Sequence, residues 1–307
     1  MTVHSLLGYT LRVPDVPAGK RFYEDFGLVG REYGDRLGFR TAAGDLEPVT
    51  LVEGVGRRLH HVTLGVSAAD AKGLQQRLES KGIKLVDAPK SEGNAVFAVR
   101  DPDDNMVVIK TCEKVDFLAK RRATIAKAAA GFSRDAAVRG CPPREAIVRP
   151  WRLGHVLLFT PNVSRQIAFY TEALGMKLSD RSGDIIAFIR VPGGSDHHVI
   201  AFAKSDRPGF HHASYEVGSV DEVGYGAVRM LGKGWKNGWG FGRHVLGSNF
   251  FHYIRDPWNS LAEYFFDIDY IADDAKWEAR DWPGEDSLYL WGPDVPPDFV
   301  QNFDAAA

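Results

Sequence analysis

The chain repeats itself, and the repeat limits what it can fold into. Residues 5–28 read as a strand (5–13), a Pro turn (14–18) and a short helix (19–26) carrying Phe22-Tyr23 and ending in Gly27. The same frame returns at 153–176: Leu153-Gly154-His155-Val156-Leu157-Leu158-Phe159 as a strand, then a helix over 162–173 with Phe169-Tyr170, then Gly175. The separation is about 147 residues, with small gaps. A second pair begins at His60-His61-Val62 and at His211-His212-Ala213, each an apolar strand followed by a helix, over 68–81 and 219–231. Each then enters a hairpin. Strands 96–100 and 106–110 flank Asp101-Pro102-Asp103-Asp104, and strands 249–255 and 260–266 flank Asp256-Pro257-Trp258-Asn259.

Four βα-plus-strands modules of about 50 residues, in two tandem pairs, predict an α+β fold of mixed or mostly antiparallel sheets. The expected division is a first domain over 1–112, a helical linker over 113–150, a second domain over 151–270 and an extended C-terminal arm over 271–307. The linker opens with an Ala/Lys/Arg-rich helical stretch at 113–131; the arm carries Trp277, Trp282 and Trp291. Between Gly232 and Gly242 lie five glycines and two tryptophans, which fit either a mobile lip over a site or a plain Gly-rich turn.

Charge excludes some functions. Charged residues make up 25% and the net charge is −2, with both signs interspersed, so no nucleic-acid partner is indicated. The N-terminus has no basic segment leading into an apolar core, and no apolar run reaches about 18 residues, which reads as a cytoplasmic protein without a membrane span. Cys112 and Cys141 are the only cysteines and read as reduced thiols.

Histidine and glutamate placement distinguishes the halves. Seven of the ten histidines fall between residues 155 and 252. The sequence alignment sets His155 opposite Tyr9, His212 opposite His61, and Glu263 opposite Val108 or Ile109. The second half thus keeps three potential ligands where the first keeps one. Glu263 lies on an otherwise apolar strand, and a metal ion is one compensation for a carboxylate in such a place. Two imidazoles and one carboxylate form the donor set of non-haem Fe(II) oxygen chemistry. In the pairs His197-His198 and His211-His212, strand alternation lets only one member face such a site; alternation alone does not choose.

In these residues the chain resembles the two-domain extradiol catechol dioxygenases of the vicinal oxygen chelate superfamily. That family's signature of a His, a Tyr nine residues on and a Glu ten further matches His244, Tyr253 and Glu263. Its Gly-His-Val strand matches Gly154-His155-Val156, and its later His before an apolar strand ending in Glu-Val matches His212 before Glu216-Val217. A His-His pair upstream matches His197-His198.

The resemblance implies tandem βαβββ modules, two domains of paired modules each forming a curved mixed sheet, with the metal in the second. It makes His155, His212 and Glu263 the ligands of Fe(II), with Mn(II) the other candidate. It makes His198 an acid/base residue with a pKa near neutrality, and His244 and Tyr253 the pair that hydrogen-bonds the substrate oxygens. His197 and His211 go to the opposite face. The substrates implied are a catechol-type diol, with or without ring substituents or a third hydroxyl, and O2, in a cytoplasmic homo-oligomer of aromatic compound degradation. The chain departs from the family at Val245-Leu246, where a Pro and an Asn are frequent, so an apolar substrate pocket is expected, with Leu246, Phe251, Trp239 and Phe241 as candidate walls. The alternatives are another metal enzyme on the same scaffold, such as a glyoxalase-like isomerase or a fosfomycin-resistance-like transferase, and a metal-free small-molecule-binding protein.

Overall fold

The computed structural model describes residues 1–42, 44, 46–115, 118 and 147–304. Most of the expected linker helix, and Cys141, lie outside the described residues.

Helix starts follow local chemistry. Among the described residues the α-helices are α1 (Val16–Asp25), α2 (Ala68–Ser80), α3 (Val163–Ala168) and α4 (Val220–Gly232). Asp15, Ser67, Asn162 and Ser219 precede them, and each side chain accepts a hydrogen bond from a first-turn amide. Such a cap is worth about 1 kcal/mol over an alanine. α1 starts at Val16 rather than at residue 19, because Pro17 sits in its first turn, where a missing N–H costs nothing. After α3 the chain continues as a wider π-type turn over Phe169–Ala173.

The first domain contains β1 (Ser5–Val13), β2 (Val29–Glu32), β3 (Arg36–Arg40), β4 (Val49–Glu53), β5 (Arg58–Val66), β6 (Leu85–Val86), β7 (Ala95–Arg100) and β8 (Met106–Thr111). The sheet order is β2-β3-β4-β1-β5-β8-β7-β6. This is two βαβββ modules back to back, with β1 antiparallel to β5 at the join and the parallel pairs β1–β4 and β5–β8 on either side.

The second domain repeats the plan with β9 (Arg152–Thr160), β10 (Lys177–Ser182), β11 (Ile186–Arg190), β12 (Ser195–Asp196), β13 (Ile200–Lys204), β14 (Gly209–Glu216), β15 (Asn237–His244), β16 (Phe250–Arg255) and β17 (Leu261–Phe266). The arm adds β18 (Tyr270–Ile271), β19 (Arg280–Asp281) and β20 (Tyr289–Trp291). The large sheet runs β19-β10-β11-β13-β9-β14-β17-β16-β15-β20, while β12 pairs with β18. The arm therefore extends both edges of its own domain's sheet.

The hairpin turns are built alike in both domains. Asp101 Oδ1 accepts from the amides of Asp103 and Asn105 at 2.9 Å. Asp256 Oδ1 accepts from those of Trp258 and Ser260 at 2.9 Å. This is why an Asp-Pro opens each turn.

One apolar core runs through both domains. Phe26 stacks on Tyr264 with ring centroids 3.8 Å apart, and the Tyr264 hydroxyl donates to the Phe26 carbonyl. Tyr9 and Tyr215 share a 2.7 Å hydrogen bond at the same seam. The Gly-rich stretch is no lip: β15 lies in the sheet between β16 and β20. Its glycines admit close neighbours, since a Cβ on Gly238 would meet Leu261 at 2.6 Å and one on Gly242 would meet Phe251 at 2.6 Å. No helix among the described residues is long and apolar enough to cross a membrane.

Candidate metal centre

Strands β9, β14 and β17 are neighbours at the centre of the second sheet, with Ser214 in register with His155 on one side and Glu263 on the other. His212 lies two residues before Ser214 on the middle strand, hence on the same face. Ser214 is small, which leaves the space between its larger neighbours open. His155 Nε2 and His212 Nε2 are 3.2 Å apart, and Glu263 Oε2 is 3.4 Å from the first and 3.6 Å from the second. Ligands about 2.0–2.2 Å from one ion are separated by about this much.

The electrostatics agree. Glu263 is fully buried, and its Oε2 is without a hydrogen-bond partner, while Oε1 accepts from Asn249 Nδ2 at 3.2 Å. An uncompensated carboxylate oxygen in such a place is costly, and a cation answers the cost. These three residues form the one His/Cys/Asp/Glu group among the described residues that could hold a metal ion.

Hydrogen bonds set the tautomers. The Phe299 carbonyl can only accept, so His211 Nε2 donates to it at 2.7 Å. Neutral His211 then offers Nδ1 to the Nδ1–H of His212 at 2.6 Å, which leaves a lone pair on His212 Nε2, the atom in the triangle. Burial, with the neighbouring imidazoles His211 and His155, keeps His212 neutral. A parallel chain runs through His197. Asp180 Oδ2 accepts from its Nε2 at 2.9 Å, so its Nδ1 accepts from His198 Nδ1 at 3.0 Å and His198 keeps its Nε2 lone pair. The His198 ring is 4.2 Å from that of His155. Burial first, then His155 and the other imidazoles, push its pKa well below the ordinary value, so the expected near-neutral pKa is not found.

His244 Nδ1 donates to the Leu288 carbonyl at 2.7 Å, and its Nε2 accepts from the Tyr253 hydroxyl at 2.9 Å. Burial lowers the His244 pKa against the pull of Glu263. Burial, then the Glu263 charge, raises Tyr253 well above the phenol range, so Tyr253 stays a donor.

The adjacent histidines do not split between faces as alternation predicts. The β9–β14 register slips between Phe210 and His212, so His211 is an extra residue and its ring lies edge-on to that of His212. His211 consequently lines the cavity, and His197 packs edge-on against His198. His252 turns away, bonded to Asn237 Oδ1 at 2.8 Å.

The cavity over this cluster measures about 240 Å3. His155, His198, His211, His212, His244 and Tyr253 form its polar side, and Leu157, Ile186, Phe188, Leu246, Leu288, Phe299 and Val300 much of its apolar side. Leu246 thus takes the expected place. Phe251 does not: it lies behind His244, stacked on its ring at 4.0 Å. Trp239 packs behind Tyr253, and Phe241 against Phe250. Sequence reasoning missed Asn249 and His211 on the polar side, and Leu157, Ile186, Phe188 and the arm's Leu288, Phe299 and Val300 on the apolar side. Only the two polar ones carried any signal, through their adjacency to a predicted strand and ligand.

The first domain has the same three strands without the site. Thr63 pairs with Gly8 on β1 and Val108 on β8, so the counterparts of His155 and Glu263 are Gly8 and Val108, not Tyr9 or Ile109. A Cβ on Gly8 would lie 2.8 Å from the Pro48 carbonyl oxygen. His61, the counterpart of His212, is bonded to Glu92 at 3.0 Å.

Paired βαβββ modules with a two-histidine, one-carboxylate cluster in the second pair define a class of metal-site proteins. The chain belongs to the Glyoxalase/Bleomycin resistance protein/Dioxygenase superfamily, whose model matches residues 5–109 and 152–264. It is 45% identical to metapyrocatechase 2 of Cupriavidus necator, over 99% of this chain and 93% of that one. It is 31% identical to an iron-dependent extradiol dioxygenase of Rhodococcus jostii, over 46% and 50% of the two chains. Among solved structures it resembles the Mn(II)-bound glyoxalase of Novosphingobium aromaticivorans, with a TM-score of 0.74, 25% identity and 98% of each chain covered.

Proposed function

We propose that the chain is an extradiol ring-cleaving dioxygenase, opening a catechol-type aromatic diol beside its hydroxyl pair and incorporating both atoms of O2, with Fe(II) held by His155, His212 and Glu263. The observation that carries this reading is the convergence of those three donor atoms on one point, with Glu263 Oε2 buried and unpartnered. The full-length likeness to a metapyrocatechase supports the reaction, and the iron-dependent relative supports the metal. Mn(II) is the second candidate because it accepts the same donors.

A divalent iron bound there supplies Lewis acidity to the two diol oxygens and electrons to O2. The remaining work belongs to the chain. His244 Nε2, whose lone pair now takes the Tyr253 hydroxyl, can accept the proton of a substrate hydroxyl instead. Tyr253 then donates to a substrate oxygen and steadies its negative charge. His198 Nε2, neutral and beside His155, would take the proton of the second diol hydroxyl and return it to the opened product. Leu157, Phe188, Leu246 and Phe299 exclude water, which strengthens each of these contacts. The first pair of modules is the scaffold and the second the catalytic domain. A glyoxalase-type isomerase, suggested by the name of one structural relative, leaves His198 and the His244–Tyr253 pair without a task.

Oxygen uptake by anaerobically iron-loaded protein, tested on a panel of catechols and trihydroxybenzenes, decides between them. Uptake with a yellow ring-cleavage product, abolished in Glu263→Ala and His155→Ala, is expected. One bound iron per chain with no uptake on any diol overturns the reading, and higher activity of the manganese-loaded protein overturns the metal.

A further inference from the structure

One wall of the cavity comes from a segment with no regular structure to hold it. Residues 292–304 contain Pro293, Pro296 and Pro297 and no strand or helix. Yet they deliver Phe299, whose ring lies edge-on to Tyr253 at 5.1 Å and whose carbonyl fixes His211. A segment this irregular is placed by its anchors: Asp298 pairs with Arg255 at 2.7 Å, Asn302 donates to the Arg207 and Pro208 carbonyls at 3.1 Å, and one buried anchor reaches into the other domain. Arg57, on the loop before β5, is buried and ion-paired with Asp304 near the end of the arm. Its guanidinium also donates to the Phe210 carbonyl at 2.8 Å, faces Asp256 at 3.7 Å and lies 4.9 Å from the Phe210 ring centroid. Asp304 Oδ2 accepts from the Phe210 amide at 2.9 Å. Phe210 immediately precedes His211-His212. One buried joint therefore ties the first domain, the ligand strand β14 and the arm together.

We propose that Arg57 and Asp304 are positioning residues: their ion pair pins the arm so that Phe299 closes the cavity and selects among ring substituents. The metal-free first domain thereby takes part in substrate choice. The selectivity half of this rests on the ring-cleavage reading above; the pinning half does not.

The variants are Asp304→Ala, the isosteric Asp304→Asn, Phe299→Ala, and the double variant Asp304→Ala/Phe299→Ala, each in the full iron-loaded chain. Arg57 keeps Asp256 in every one, so no buried cation is left alone. Asp304→Ala is expected to raise KM for alkyl-substituted catechols at least about fivefold relative to unsubstituted catechol. The double variant should be no worse than the worse single one, because both changes act on one element. Amide exchange in a 296–304 peptide should speed at least about tenfold in Asp304→Ala and less in Asp304→Asn. Unchanged exchange overturns the pinning. Faster exchange with an unchanged ratio of KM values overturns the selectivity. If Asp304→Ala does not fold, Asp304→Asn decides by the same two readouts. A wild type that takes up no oxygen with any catechol sinks the ring-cleavage reading, while the exchange result still judges the clamp.

Discussion

Glu263 and His155 face each other across Ser214, on strands that are not themselves paired, with Oε2 3.4 Å from Nε2. The gap is open because the residue between them is small and fully buried. Ser214→Leu should therefore fill it, forcing the two donors apart without removing either. We expect bound iron and manganese to fall at least as far as in an outer-contact variant, by about 10–100-fold in affinity, and Glu263→Ala to fall further. Metal content after dialysis against graded chelator reads both, and full metal retention by Ser214→Leu would refute the geometry.

His198 touches the metal cluster and lines the cavity, but none of the three converging donor atoms is its own. His198→Gln should accordingly leave metal content unchanged and KM within a few-fold, while kcat drops about 10²–10⁴-fold, the range of a lost acid/base group. Loss of bound metal from this variant would make His198 a ligand instead.

The paired-module fold was legible in the sequence because each module carries its own periodicities and each pair of modules its own Asp-Pro turn. The spacing from His244 to Tyr253 to Glu263 was legible for a related reason: it lies within β15–β17 of one module, where strand geometry converts spacing directly into position. What misled was any inference that needed two strands in register. Bulges at His60 and His211 each insert one residue, so alternation combined with the family register put His211 on the wrong face. Matching Leu7-Gly8 to Leu153-Gly154 in sequence likewise set Tyr9 opposite His155, whereas the strand pairing, bulged alike at Leu7 and Gly154, sets Gly8 there. Phe299 and Val300 were invisible because a proline-rich arm has no period, and its place depends on a partner as remote as Arg57.

The cavity offers little to a negative charge. Among its described lining residues the one lysine is Lys204, which Asp184 already holds at 2.8 Å, and burial keeps His198, His212 and His244 neutral. A carboxylated catechol would bury its charge without a partner. Its kcat/KM should fall about 10–100-fold below that of an alkylcatechol of similar size, and Leu246→Arg should narrow the gap. Equal rates on the two substrates would show that the substituent points to water.

Asp101 ties the first hairpin turn, and burial raises its pKa to about 6 despite the amides of Asn105 and Asp103. A carboxyl raised from 3.8 in the unfolded chain binds more protons folded than unfolded, so the cost of ionising it grows as pH rises from about 4 to about 6 and is constant above. Two pKa units correspond to roughly 3 kcal/mol as an upper figure. Asp101→Asn keeps an acceptor for the Asp103 and Asn105 amides and removes the charge. Relative to wild type it should therefore gain stability between pH 4 and pH 7, by one to a few kcal/mol (about 1–3), and no more from pH 7 to pH 9. Urea unfolding of both proteins across that range measures the difference. A gap that is flat with pH, or that favours wild type as pH rises, would mean Asp101 is ionised in the folded protein at no cost, its charge carried by the turn amides and Asn105 Nδ2 at 3.1 Å.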